Sequence, residues 1–236
     1  DCSPVNGSIY GFIYLDDGAT QDVTFGLRQF NNSVVIATAD VDAAAGSNAQ
    51  VGITGIDGNR FALAWYDSAG TDNGTITYQI RNLSNSQLTA ILNISINNLV
   101  IPRIALATVE NRSETLQRSF LAAWNNGTGY IFGAVINGSG NMTAGPFMLA
   151  NNTNTTSLLF DVFGENVVND NTSICPEHFI LSYVNNSGQV AAITFNIDGT
   201  VWNGLCDFDF PQWSNNVTSP QAPATYRLGG NYTFNT

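Results

Sequence analysis

FALAWYD, residues 61–67, returns as FLAAWNN at 120–126 and as FILSYVN at 179–185. The anchoring aromatics, Trp65, Trp124 and Tyr183, are spaced 124 − 65 = 59 and 183 − 124 = 59 residues apart. A fixed period of this length marks a chain built from repeated supersecondary units. What flanks the anchor repeats as well. A polar turn follows each one, and then a second apolar run: TITYQIRN from Thr75, YIFGAVIN from Tyr130 and VAAITFNI from Val190. After another turn a third run appears: LTAILNIS from Leu88, GPFMLAN from Gly145 and VWNGLCDF from Val201. A further run precedes each anchor: SVVIATADV from Ser33, PRIALATVE from Pro102 and TSLLFDVFG from Thr156.

These runs are short, rich in Val, Ile, Phe, Tyr and Thr, and bounded by Asn-Gly, Asp-Gly and Ser-Gly pairs. That chemistry specifies strands joined by tight turns. The Ala-rich stretch DVDAAAGSNAQ, residues 40–50, is the one mild helix candidate and reads better as a loop insertion. Each unit is therefore four strands, A to D. The N-terminal segment SIYGFIYLDDG, from Ser8, aligns with strand C, and DVTFGLRQF, from Asp22, with strand D. The expected organisation is a single repeat-built domain over 1–236: a partial repeat at 1–32, repeats at 33–101, 102–155 and 156–213, and a terminal segment at 214–236. The segment 224–234 is expected to supply a strand that completes the sheet begun at the other end of the chain.

Tandem four-stranded units resemble the blades of secreted β-propellers. The resemblance covers most of the chain but singles out no family. There is no Trp-Asp dipeptide, no kelch-type double glycine recurring in the units and no sialidase Asp box. An all-β, propeller-like architecture is the expected fold, with an immunoglobulin-like β-sandwich as the alternative. Within it, Trp65, Trp124 and Tyr183 should fill the space between neighbouring sheets.

Composition bounds the function. Of 236 residues 44% are hydrophobic, enough for a large core, and only 11% are charged, against about 25% in an average domain. The net charge is −11 and every basic residue is an arginine. No basic patch is available for nucleic acid or an anionic membrane, and no apolar run is long enough to insert as a membrane helix. Fifteen Asn-x-Ser/Thr sequons stand at Asn6, Asn31, Asn73, Asn82, Asn93, Asn111, Asn126, Asn137, Asn141, Asn151, Asn154, Asn171, Asn185, Asn216 and Asn231. Roughly five are expected by chance from the Asn, Ser and Thr content. The excess points to an extracellular, secreted glycoprotein whose glycans replace charge as the solubilising groups. Three cysteines suit an oxidising compartment. Cys175 and Cys206 are expected to pair, with Cys2–Cys206 as the rival, and the third thiol has no assigned fate.

Catalytic chemistry finds little to work with. The lone histidine, His178, opens a strand and reads as a surface or turn residue. The four glutamates are Glu110, Glu114, Glu165 and Glu177; Glu110 and Glu165 follow strand A at equivalent positions, which suggests a shared structural role. No enzyme, no cofactor and no metal site are expected. Calcium is the conceivable exception, at Asp16, Asp17 and Asp22, at Asp40 and Asp42, or at Asp207 and Asp209, although such an ion takes six to eight oxygens. Asp57-Gly58 and Asp198-Gly199 read as turns.

The leading functional expectation is a structural subunit of an extracellular filament, coat or wall. Its partners would be copies of itself, joined head-to-tail or by strand donation, together with glycans. A secreted carbohydrate-binding or adhesion module is the alternative, and a glycoside-acting enzyme the third reading.

Overall fold

The computed structural model describes residues 1–16, 21–42, 50–67, 74–95, 103–109, 118–151, 153, 159–165, 178–201, 207–208, 226–227 and 232–234. They form four antiparallel four-stranded sheets and one two-stranded ladder. The first sheet is β1 (Cys2–Asn6), β2 (Ile9–Leu15), β3 (Val23–Gln29) and β4 (Val34–Asp42). The second is β5 (Val51–Gly55), β6 (Arg60–Asp67), β7 (Thr75–Asn82) and β8 (Leu92–Ser95), and the third is β9 (Ile104–Val109), β10 (Ser119–Asn125), β11 (Tyr130–Asn137) and β12 (Met142–Asn151). The fourth begins with β13 (Phe160–Glu165), β14 (His178–Val184) and β15 (Val190–Asn196). The two-residue strands β16 (Asp207–Phe208) and β17 (Tyr226–Arg227) pair with each other, and β18 (Tyr232–Phe234) closes the fourth sheet beside β15.

The repeated motif occupies the second strand of its sheet and explains its own recurrence. Successive strand residues point to opposite faces. On β6, Phe61, Leu63 and Trp65 belong to a buried cluster shared with the first sheet. Ala62, Ala64 and Tyr66 belong to one shared with the third. On β10, Phe120, Ala122 and Trp124 face the second sheet, while Leu121 and Ala123 face the fourth. On β14, Phe179 and Leu181 face the third sheet, with Tyr183 partly buried against the same cluster. Each second strand thus sends bulky residues back into the preceding sheet and mostly smaller ones toward the next. Trp65 is 0% exposed and Trp124 2%. Tyr183 is only half-buried. The rings of Phe25 and Phe61 meet 5.6 Å apart across the first interface, and those of Tyr78 and Phe120 6.2 Å apart across the second.

Several polar groups buried by this stacking find partners. Trp65 Nε1 donates to Asp42 Oδ2 at 2.9 Å. Arg81, buried on the second sheet, donates to Gln79 and Asn85 and lies 5.1 Å from the Phe25 ring centroid. Between the second and third sheets, Arg60 donates to the Gly138 carbonyl and Tyr78 to that of Gly140. The first strands of successive sheets approach closely. A Cβ at Gly55 would collide with the Val5 backbone, and one at Gly164 with the Thr108 carbonyl. The hydroxyls of Thr54 and Thr108 meet at 3.0 Å.

Three expectations need correcting. SVVIATADV is not strand A of the second unit: as β4 it pairs with β3 and ends the first sheet. The boundary drawn at 33 therefore moves to between 42 and 51, and residues 43–49 of the Ala-rich stretch fall outside the described residues. The first sheet is not a partial unit either. Cys2–Asn6 supplies its first strand, so 1–32 is not a C and D pair, and SIYGFIYL aligns with the Trp-bearing strand rather than strand C. CSPVN hides this role because it is short and carries a proline. At an edge position, however, a strand tolerates the missing N–H of Pro4. Lastly, residues 232–234 complete the sheet of β13, β14 and β15, not the one at the N-terminal end. Val201 only bridges Phe195, and the later part of VWNGLCDF enters the separate ladder with β17.

Replacing Trp65 with alanine empties the interface between the first two sheets and removes the donor to Asp42. The expected cost is about 3–5 kcal/mol, read as a lowered midpoint in urea with an unchanged slope. A loss below about 1 kcal/mol would mean the site collapses around the gap and the interface is not close-packed.

Candidate functional site

Where the first strands of the four sheets converge, β1, β5, β9, β13 and the end of β2 line a cleft of about 900 Å³. Its position follows from the stacking. Successive sheets share cores over their faces, so the edges formed by the first strands turn toward a common space. Most residues on this cleft are apolar, but six side chains give it a chemical character: Ser3, Tyr14, Gln50, Arg103, Asp161 and Phe163. Tyr14 is 41% exposed and Phe163 42%, and Arg103 and Asp161 are exposed as well. Phe160 and Val162 point into the core with the third sheet, so the pleat directs Asp161 and Phe163 the other way.

The cleft offers a guanidinium, a carboxylate, an amide and a hydroxyl beside two ring faces. A second carboxylate on its wall is committed to the scaffold: Asp1 Oδ2 accepts the Ile53 N–H at 3.0 Å and Oδ1 the Cys2 N–H at 2.8 Å. Asp161 Oδ1 accepts its neighbour's N–H, from Val162, at 2.9 Å. None of these residues stands out from the repeat in the sequence. In retrospect, a charge inside an apolar first strand, as in LLFDVFG, is the available signal, because an inward-facing aspartate there has no core role.

The residues singled out from the sequence are scattered. Asp40 accepts the Thr24 hydroxyl at 2.8 Å, and Asp42 is the Trp65 acceptor. Among the described residues no three acidic, histidine or cysteine side chains gather as a metal site would require. Asp17, Asp209, Glu110, Glu114 and Glu177 lie outside the described residues, as do the side chains of Asp207 and Glu165. Asp57 and Asp198 do sit in turns, accepting the N–H of Asn59 and of Thr200. Burial raises the Asp57 carboxyl, but the Asn59 N–H and the Arg60 guanidinium outweigh it and hold the group below the usual range. Cys2 is a free, exposed thiol; Cys175 and Cys206 fall outside the described residues.

The sequons have a structural use that sequence counting missed. In six of them the Asn side-chain oxygen accepts the N–H of the Ser or Thr two residues on: Asn6, Asn31, Asn82, Asn126, Asn137 and Asn185. This is the Asx turn, and it favours Asn-x-Ser/Thr at tight turns independently of any glycan. Asn137 and Asn185 are buried, each 9% exposed, whereas Asn31, Asn93, Asn141 and Asn151 are exposed. Asn73, Asn111, Asn154, Asn171, Asn216 and Asn231 lie outside the described residues.

His178 is not a surface residue. It is fully buried at the start of β14, away from the cleft. Burial lowers its pKa from 6.5 to about 4, so the folded ring is neutral at physiological pH.

No family model matches the chain, and neither does any curated protein. Solved structures do match, eight chains in all, among them two lectins. The fucose-specific lectin from Aleuria aurantia, in its mercury-derivative form, matches with a TM-score of 0.57 and 12% identity, over 82% of this chain and 56% of that one. A second structure is described as a fungal lectin with a six-bladed β-propeller fold and a novel fucose recognition mode, also from Aleuria aurantia. It matches with a TM-score of 0.55 and 11% identity, over 85% of this chain and 59% of that one. The chain therefore has tandem four-stranded β-propeller architecture, and it spans less than two thirds of the length of these lectins.

The buried histidine predicts a pH dependence. Between pH 6.5 and about 4 the unfolded chain takes up a proton that the folded ring refuses. Its contribution is thus complete above about 6.5 and is lost as the pH falls toward 4, by roughly 3 kcal/mol in all. Urea titrations of wild type and His178→Leu across this range test it. The substitution should flatten that segment of the profile, and an unchanged slope would contradict the assignment.

Proposed function

We propose that the chain is a carbohydrate-binding module and that the cleft of converging first strands takes the saccharide. The observation that carries this reading is the pairing of two exposed rings, Tyr14 and Phe163, with Arg103 and Asp161 on one concave surface. Sugars present apolar C–H faces, which stack on aromatic rings, and hydroxyls, which take charge-assisted hydrogen bonds from a guanidinium or to a carboxylate. A concave, largely apolar site with a few polar groups is what small-ligand recognition needs. The carbohydrate-binding names of the two structural neighbours support the alternative first weighed from the sequence over the filament or coat subunit. Among the described residues the cleft has two carboxylates, and Asp1 is engaged by two backbone N–H groups, so the reading favours binding without turnover, since a glycosidase needs two working carboxylates.

Binding to a saccharide array, followed by calorimetry on the strongest hit, tests this. Phe163→Ala and Arg103→Ala should each weaken the hit about tenfold or more, the scale of one lost stacking or charge-assisted contact. Absence of any saccharide ligand, or a hit that neither substitution affects, overturns the reading.

The same proposal places the protein outside the cell as a glycoprotein, with Cys175 bonded to Cys206. Glycopeptide mapping after secretion from a glycosylating host should find Asn31, Asn93, Asn141 and Asn151 modified and the buried Asn137 and Asn185 bare. A uniformly bare chain would leave turn formation as the whole reason for the sequons.

A further inference from the structure

The second sheet departs from the third and fourth at one deeply buried spot. By strand pairing, Arg81 lies opposite Phe61, as Ile136 lies opposite Phe120 and Phe195 opposite Phe179. Two residues earlier, Gln79, Ala134 and Ile193 correspond in the same way. On the third and fourth sheets both positions are apolar and belong to the buried clusters. On the second sheet they hold an amide and a guanidinium, yet Gln79 is only 1% exposed and Arg81 6%. Ile76, Tyr78 and Ile80 of β7 pack toward the third sheet, so Gln79 and Arg81 point into the interface with the first. There the Arg81 guanidinium lies over the Phe25 ring.

A cation buried among apolar side chains is costly unless a counter-charge accompanies it. Arg81 Nε donates to Gln79 Oε1 at 2.7 Å, and Nη1 donates to Asn85 Oδ1 at 2.7 Å. Both acceptors are neutral amides. Desolvation moves the Arg81 pKa down from its usual value, and no neighbouring charge offsets it. Gln79 is satisfied on one side only. Its oxygen is turned toward Arg81, and its buried Nε2 finds no acceptor in the protein. Asn85 holds the other edge of the guanidinium from a fixed turn, at φ 65°, where Asn82 Oδ1 accepts the N–H groups of Ser84 and Ser86. In the planar guanidinium Nη2 shares an edge with Nε, so Nη2 lies on the Gln79 side. The interface therefore holds two N–H donor groups, from Gln79 Nε2 and Arg81 Nη2, and one positive charge.

We propose that a single small monovalent anion of the chloride class binds between the first and second sheets, held by Gln79 Nε2 and Arg81 Nη2. One negative charge matches one guanidinium. A divalent oxyanion would bring surplus charge into an apolar interface. An organic carboxylate would need space for its substituent, which side chains this deeply covered do not leave. A water would accept the hydrogen bonds but supply no charge.

An ion bound by the folded chain alone stabilises it by mass action. The test is urea unfolding of the full chain over a range of sodium chloride, with sodium gluconate, whose anion is too large for the site, holding the ionic strength constant. Above the dissociation constant, each tenfold rise in chloride should raise the folding equilibrium constant about tenfold. Gln79→Ala combined with Arg81→Ile installs the third sheet's residues at both positions and should abolish this dependence. If that variant does not fold, Arg81→Met, which keeps a long apolar stem, replaces it with the same expectation. Crystals grown in bromide supply an independent measurement, with anomalous density expected between Gln79 and Arg81. A wild type indifferent to chloride overturns the proposal and leaves water as the occupant. A chloride dependence that the variant retains also overturns it, as a salt effect arising elsewhere, and so does bromide density absent from this interface. Neither residue lies on the cleft, and the measurements use no saccharide, so this site and the proposed function can fail separately.

Discussion

Everything in this molecule depends on one sheet face being buried by the next. A four-stranded antiparallel sheet with apolar residues on both faces cannot stand alone in water, and here the second and third sheets are covered on both faces by their neighbours. The alternation along each second strand makes this workable: large residues lead toward the preceding sheet and mostly smaller ones follow toward the next. Interior packing at crystal-like density then fixes the distance between sheets. Trp65 and Trp124 are the largest of these buried wedges.

The polar features serve the same constraint. Trp65 would leave a buried N–H without Asp42. Arg81 is buried on the second sheet but keeps two side-chain acceptors and an aromatic face. At the converging edge, glycines at 55 and 164 let strand backbones of adjacent sheets meet. The cleft is a consequence of this geometry rather than a separate construction. Edges of stacked sheets gather there, and side chains on that edge need not satisfy a core. That freedom is what allows Arg103, Asp161 and two exposed rings to share one surface.

Turn chemistry carries a second lesson. Asn-x-Ser/Thr recurs because an Asn side chain closes a tight turn by accepting the N–H two residues on, as at Asn126 and Asn137. The same three letters are a glycosylation signal. A count of sequons therefore mixes two causes, and only the burial of each Asn separates them: Asn31 and Asn141 stand in solvent while Asn185 does not.

By itself the amino-acid order determined most of the strand content, though not β1 or β5, together with the four-strand unit, the period of 59 and the burial of Trp65 and Trp124. All of these arise from local alternation and turn residues, which act between near neighbours in the chain. Strand membership at the ends was not legible. SVVIATADV has the same local character whether it closes one sheet or opens the next, and hydrogen bonding to β3 settles it. CSPVN looks too short and too proline-marked for a strand until an edge position removes the objection. The cleft was illegible for the same reason. Tyr14, Arg103, Asp161 and Phe163 come from the first, third and fourth sheets, and no spacing along the chain relates them. Their proximity exists only because sheet faces must be buried in series, which is a property of the stack and not of any strand.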